Sequence, residues 1–234
     1  MSQTVVFIHG ALNDHSVWNP QAGALAQQGF QVQALDLPGH GARPGPALAS
    51  VEDMAAWLLG ELEWLGIAQA ALAGHSMGSL IALEAALRAP QRVAKLALLG
   101  TACPMRVSDA LLDAALNDEA AAIGMVTEWS HSLPAHKAAS QQLMERVAAG
   151  GSGLLHRDLS ACKAYANGEA AAQALRCPAL IVFGEKDVMT PPKAARRLVE
   201  AMPHAQQATV DAGHQMMSER PDEVSAALVA FLRD

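Results

Sequence analysis

Cysteine is nearly missing from this chain. Cys103, Cys162 and Cys177 are too few and too scattered for a disulfide framework or a zinc knuckle, so buried thiols in a reducing compartment are expected. Long apolar runs are absent too, none approaching the length that spans a bilayer. Met1-Ser2-Gln3 leads directly into Thr4-Val5-Val6-Phe7-Ile8. That leaves no room for a charged leader and cleavage site, and a cytoplasmic location is expected. Positive charge is sparse: 16 Lys and Arg against 23 Asp and Glu give a net charge of −7 with no basic stripe. This argues against nucleic acid or an anionic membrane as a partner. No two histidines stand at H-E-x-x-H spacing, so neither a metal nor another cofactor is expected.

What the chain does have is alternation. Its 234 residues, 51% of them hydrophobic, fit one domain of the larger α/β kind with a substantial core. Short apolar or β-branched runs at residues 4–8, 31–35, 70–73, 93–99, 179–183 and 205–210 have the length of strands. Helical patterns at 20–28, 51–65, 76–89 and 191–201 lie between them, and 221–232 closes the chain. Pro191, Pro192 and Pro221 suit first turns of helices, where a missing N–H costs nothing. The implied architecture is a mostly parallel sheet of about six strands covered by helices on both faces. One stretch, residues 102–175 after the fourth strand, carries no convincing strand but helical patterns at 108–117, 119–130, 134–148 and 154–165. Ser108 and Ser132 read as helix starts, and Gly150-Gly151-Ser152-Gly153 as a flexible break. Inserted at the carboxyl edge of the sheet, where ligands bind, this stretch reads as a helical cap. Residues 1–101 and 176–234 then form the core of a single domain.

The same edge carries the chemistry. Gly74-His75-Ser76-Met77-Gly78 fits G-x-S-x-G, in which a serine sits at a sharp strand-to-helix turn. Glycine is needed at both ends because a Cβ there would collide with the neighbouring strand or helix. A serine hydroxyl is a poor nucleophile unless a base takes its proton and a third group orients that base. In such sheets the partners follow in the order Ser, acid, His. The fifth strand ends in Gly184-Glu185-Lys186-Asp187 and the sixth in Asp211-Ala212-Gly213-His214, so Asp187 and His214 are the expected partners of Ser76. Glu185 is the main rival for the acid, and Asp211 reads as a residue that fixes the histidine's loop. His75 is expected to point into the supporting structure, and His9 and His40 to hold early loops. His131, His136 and His156 are expected on a solvated face of the cap. Two N–H donors should face the oxygen that becomes negative: that of Met77, and one from His9-Gly10-Ala11-Leu12, with Ala11 first and Leu12 second. Leu12, Met105, Trp129, Leu133, Leu154, Met189 and Met216 are candidates to line a pocket between cap and sheet, against the alternative that they form cap core.

Five motifs follow one another at successive strand ends. They are Phe7-Ile8-His9-Gly10, Asp36-Leu37-Pro38-Gly39-His40-Gly41, the elbow at Ser76, Gly184-Glu185-Lys186-Asp187 followed by Thr190-Pro191-Pro192, and Ala212-Gly213-His214. Over its whole length the chain resembles the α/β-hydrolase fold superfamily, in its compact, cap-bearing branch of small esterases. The stretch from His9 through Trp18 is similar to that of carboxylesterases related to the pimeloyl-ester hydrolase of biotin synthesis. The resemblance implies an α/β-hydrolase fold, a triad of Ser76, Asp187 and His214, and oxyanion donors at Ala11 and Met77. It implies hydrolysis of carboxylic esters with small or medium apolar acyl or alkyl groups. The superfamily usually begins with two further strands before the His-Gly loop, whereas this chain starts at the strand leading into it, hence the reduced sheet. Few aromatics besides Trp129 and Tyr165 occur in the cap, which favours aliphatic over aryl groups. Serine at position 76, where a dehalogenase would carry aspartate, excludes that relative. Thioester hydrolysis, carbon–carbon bond hydrolysis and cofactor-free perhydrolysis on the same triad stay open, as does a hydrolase-like ligand-binding protein. The expected partner is a small-molecule ester, with the chain a monomer or homodimer.

Overall fold

Strands buried on both faces need apolar residues at every position, whereas edge strands tolerate polar ones. Both patterns are realised in the computed structural model, which describes residues 3–234. Met1 and Ser2, on which the absence of a leader was partly read, lie outside the described residues. The strands are β1 (Thr4–Ile8), β2 (Gln31–Leu35), β3 (Ala70–His75), β4 (Val93–Leu99), β5 (Ala179–Gly184) and β6 (Gln206–Val210). They pair in the order β2-β1-β3-β4-β5-β6, every neighbour parallel. β3 and β5 are buried throughout, while the edge strands β2 and β6 expose their glutamines.

The helices are α1 (Asn19–Gln27), α2 (Val51–Trp64) and α3 (Met77–Arg88), then five between β4 and β5: α4 (Asp109–Asn117), α5 (Glu119–Ser130), α6 (Pro134–Ala148), α7 (Leu154–Ala164) and α8 (Gly168–Gln173). After β5 come α9 (Arg196–Ala201), α10 (Met216–Glu219) and α11 (Pro221–Arg233). Successive side chains of a strand point to opposite faces. Val6 and Ile8 of β1 therefore join Leu58, Leu83 and Ile181 in one core, while Val5 and Phe7 join Trp18, Leu25 and Phe231 in another. Trp18 stacks on Phe7 with ring centroids 4.5 Å apart. A third core, with Leu111, Ile123, Met144 and Leu155, belongs to the inserted helices and takes in Leu12 from the loop after β1.

Departures from the expected elements have local causes. The pattern at 191–201 is divided into a 3₁₀ turn, Pro192–Ala195, and α9, because Pro191 stays extended at ψ 150° and delays the α-helix. Ser108 caps α4 by accepting from Leu111 N at 3.2 Å. Ser132 is no cap: its hydroxyl donates to Glu219, and α6 opens at Pro134. α8 and α10, of six and four residues, are too short to show a period. Among the described residues no helix is long and apolar enough to cross a membrane.

In this strand order β2 and β3 flank β1 on opposite sides. The chain reverses its winding direction there, and the loops after β1 and β3 separate to leave a crevice at the carboxyl ends. The loops containing Ala11 and Ser76 border that crevice.

Candidate active site

Ser76 stands alone between β3 and α3 with φ +53° and ψ −117°. A left-handed φ in a non-glycine residue costs on the order of 1–3 kcal/mol and persists only where the surroundings enforce it. Here Ser76 N donates to Leu99 O at 2.9 Å. A Cβ on Gly74 would lie 2.1 Å from Gly78 O, and one on Gly78 would lie 2.3 Å from Ile8 O. The steric reason for both glycines is thus visible in the fold. Met77 is the first helical residue, so its N–H has no intrahelical acceptor. The serine is half-buried at the cavity surface.

The loops after β5 and β6 bring the acid and the imidazole together. His214 Nδ1 lies 2.8 Å from Asp187 Oδ2, and both residues are buried. Met189 N and Thr190 N each donate to Asp187 Oδ1 at 2.8 Å, and Thr190 Oγ1 donates to Oδ2 at 2.8 Å. Burial alone would raise the Asp187 carboxyl, but the adjacent imidazole and the Thr190 donors hold it well below the usual carboxylate range. An ionised Asp187 places the proton on Nδ1 and leaves Nε2 as an acceptor. His75 Nε2 donates to His214 O at 2.9 Å, and His75 also borders the cavity. Burial and repulsion from His214 push His75 down to about 3, so it stays neutral. Among the described residues Ser76 Oγ has no hydrogen-bond partner. It shares one cavity with His214.

The rivals fall away by position. Glu185 is exposed, and Asp211, also exposed, pairs with Lys186 and Arg220 to tie down its own loop. His131 is buried rather than solvated, with Nδ1 3.1 Å from Thr127 O inside the inserted helices. Leu12 N donates to Asp158 Oδ2 at 2.8 Å, so the second-choice donor is already engaged. Among the described residues Ala11 N has no acceptor.

The cavity has a volume of about 440 Å³. Of the seven residues expected to line it, Met105, Trp129 and Met189 do so. Leu12, Leu133, Leu154 and Met216 do not. Leu12, at φ +49°, and Leu154 sit in the core of the inserted helices, and Met216 packs beneath the sheet. Leu133 lies at the α5–α6 junction, its N–H bound by Glu219. The apolar wall is completed by Leu111, Val126, Leu155 and Leu159, which the sequence reading missed. Leu155 and Leu159 share a helix face, whereas Leu154 is turned by about 100°. Among the described residues Arg106 is the one Asp, Glu, Lys or Arg on the lining.

Two buried carboxylates without a sequence signature also shape the site. Glu219 accepts from Gly213 N, Ser132 Oγ and Leu133 N, each at 2.7 Å, joining the His214 loop to the inserted helices. Asp158 on α7 accepts from Leu12 N and lies 2.9 Å from His40 Nε2. Among the described residues no three His, Cys, Asp or Glu converge as a metal site.

A sequence profile described as alpha/beta hydrolase fold matches residues 3–122, just over half of the chain. The chain belongs to the α/β-hydrolase fold family. It is 33% identical over 244 aligned residues, 98% of this chain, to the dihydrolipoyllysine-residue acetyltransferase component of an acetoin cleaving system from Pseudomonas putida. The chain spans only 63% of that protein's length. A match of 112 residues, 47% of this chain, covers 29% of the Cupriavidus necator protein of the same name. The enol-lactonase from Burkholderia xenovorans superposes with a TM-score of 0.91 at 26% identity, covering 100% of this chain and 92% of that one. An esterase from Exiguobacterium antarcticum superposes at 0.89 with the same coverage and 22% identity, a likeness of fold.

Proposed function

We propose that this α/β hydrolase is a serine-dependent esterase for small or medium apolar acyl or alkyl groups. The observation that carries the reading is the 2.8 Å Asp187–His214 contact at the cavity that also holds a positive-φ Ser76. His214, oriented by Asp187, takes the Ser76 proton as the hydroxyl attacks the ester carbonyl. The N–H groups of Ala11 and Met77 hold the developing oxyanion, and His214 then protonates the leaving alcohol. Water activated by the same imidazole releases the acid from the acyl-enzyme. In this reading the helices of residues 102–175 are a cap. Their Leu111, Val126, Trp129, Leu155 and Leu159 supply an apolar wall for the acyl or alkyl chain.

A second substrate class is acyl thioesters cleaved on the same triad; the P. putida relative, of which the chain spans 63%, is named an acetyltransferase. A panel of nitrophenyl esters and acyl thioesters of increasing acyl length separates the two. Ser76→Ala should lower kcat roughly 10³–10⁶-fold on either class and abolish labelling by a fluorophosphonate probe. Near wild-type turnover in that variant overturns the proposal.

A further inference from the structure

Asp158 plays no part in the mechanism above, yet it is fully buried, 82 residues beyond Ser76 in sequence, and reaches the loop that carries Ala11. Its surroundings are unusual for a residue that only stabilises. Oδ2 takes the Leu12 N–H at 2.8 Å and faces His40 Nε2 at 2.9 Å, while Oδ1 is buried with no partner among the described residues. His40 Nδ1 faces Pro38 O at 3.1 Å. Both ring nitrogens of His40 thus meet acceptors, an arrangement that calls for a proton on each. The pair is a buried imidazolium and a buried carboxylate, with one oxygen left over. Such pairs contribute little net stability, because desolvation offsets their attraction.

The pair does bear on one peptide unit. Leu12 N–H and Ala11 C=O belong to the same peptide, and the carbonyl accepts from Asn13 Nδ2 at 2.8 Å. The unit is gripped at both polar ends. Leu12 holds φ +49°, a region that a leucine leaves when free to do so. Turning the Ala11–Leu12 peptide over would restore a negative φ, and the Asp158 and Asn13 contacts oppose that turn. Such a turn takes ψ of Ala11 with it, and Ala11 lines the cavity that holds Ser76.

We infer that Asp158, held by His40, is a positioning residue through which helix α7 keeps the Ala11 N–H aimed at the oxyanion. The inference rests on the serine-hydrolase reading above. It assigns to the inserted helices a part in transition-state binding as well as in shaping the pocket.

The test compares wild type with Asp158→Leu, branched at the same atom but unable to accept, and Asp158→Asn, whose amide oxygen still can. Kinetics use a neutral nitrophenyl ester, and an alkyl boronic acid serves as transition-state analogue. Asp158→Leu should lose on the order of 10–100-fold in kcat with KM within about 3-fold, and boronate affinity should fall by a similar factor. Asp158→Asn should recover most of both. Should Asp158→Leu fail to fold, Asn13→Ala, which frees the carbonyl end of the same peptide, should show the same loss of boronate affinity. Folded Asp158→Leu or Asn13→Ala with wild-type kcat and boronate affinity overturns the inference. So does a uniform loss in Asp158→Leu that the asparagine does not restore. If wild type itself neither turns over the ester nor labels at Ser76, the serine-hydrolase reading fails instead.

Discussion

Replacing Asp187 by asparagine keeps the shape of the side chain and removes one acceptor. The N–H groups of Met189 and Thr190 already claim one oxygen, so the new NH₂ must face His214 Nδ1. The imidazole can meet it only by moving its proton to Nε2, the atom that has to accept from Ser76. In the proposed mechanism Asp187→Asn therefore lowers kcat by about 10³–10⁴-fold with KM little changed, the size of the corresponding effect in a serine protease. Steady-state kinetics on a neutral ester checks this, and a loss below 10-fold contradicts it. Positions 76, 187 and 214 could be proposed from sequence because each stands within four residues of a strand's end, where local sequence fixes the chain's exit. Thr190 stood three residues beyond Asp187 in plain view, but nothing local tells whether a hydroxyl turns back to an acid.

Elements meet at joints, and the joint at Glu219 holds α10, the His214 loop and the α5–α6 connection together. Its three donors hold the carboxyl below its ordinary value although burial alone would raise it. In Glu219→Gln the amide nitrogen has to face at least one of those donors. Leaving one buried donor unmet costs about 1–3 kcal/mol. Urea unfolding should show a loss of that size together with reduced ester turnover, and a change under about 0.5 kcal/mol speaks against the joint. The inserted helices show how far periodicity carries. α5 and α6 begin and end where the pattern places them, because capping and prolines act within a turn. The choice between Leu154 and Leu155 as the wall of the cavity needed the rotation of α7 against the sheet, which no property of α7 alone supplies.

For the molecule as a whole, buried histidines set the response to acid. Burial and repulsion from His40 push His9 down to about 4, and His75 lies at about 3. Unfolded histidine titrates near 6.5, so between pH 6.5 and 4 the unfolded chain binds more protons than the folded one. The stability tied to these two residues is complete above pH 6.5 and drains away as the pH falls toward their folded values. His40 moves the opposite way: burial alone would lower it, but Asp158 raises it. Its contribution is complete below pH 6.5 and declines only as the pH rises through its folded value, so it does not cancel the others. Unfolding free energy should fall by roughly 2–4 kcal/mol from pH 7 to pH 5. Urea titrations at the two values check this, and equal midpoints contradict it. Asp187 and Glu219, both depressed, extend the loss to pH below about 4.5.

The strands, the elbow and the placing of Asp187 and His214 on loops at the same sheet edge could be read from the chain because their causes are short-range. Two glycines that no Cβ can replace, apolar runs of strand length and loops directly after them act within a few residues. The contacts that tune the site join distant segments: Leu12 to Asp158 across 146 positions, His40 to Asp158 across 118, and Ser132 to Glu219 across 87. Whether Ala11 or Leu12 keeps a free N–H was decided by such a contact, since a carboxylate on α7 claims one and leaves the other. Which leucines face the cavity was decided by how helices sit on the sheet. A buried polar atom is satisfied by whatever the fold brings near it, and that is a property of packing in three dimensions.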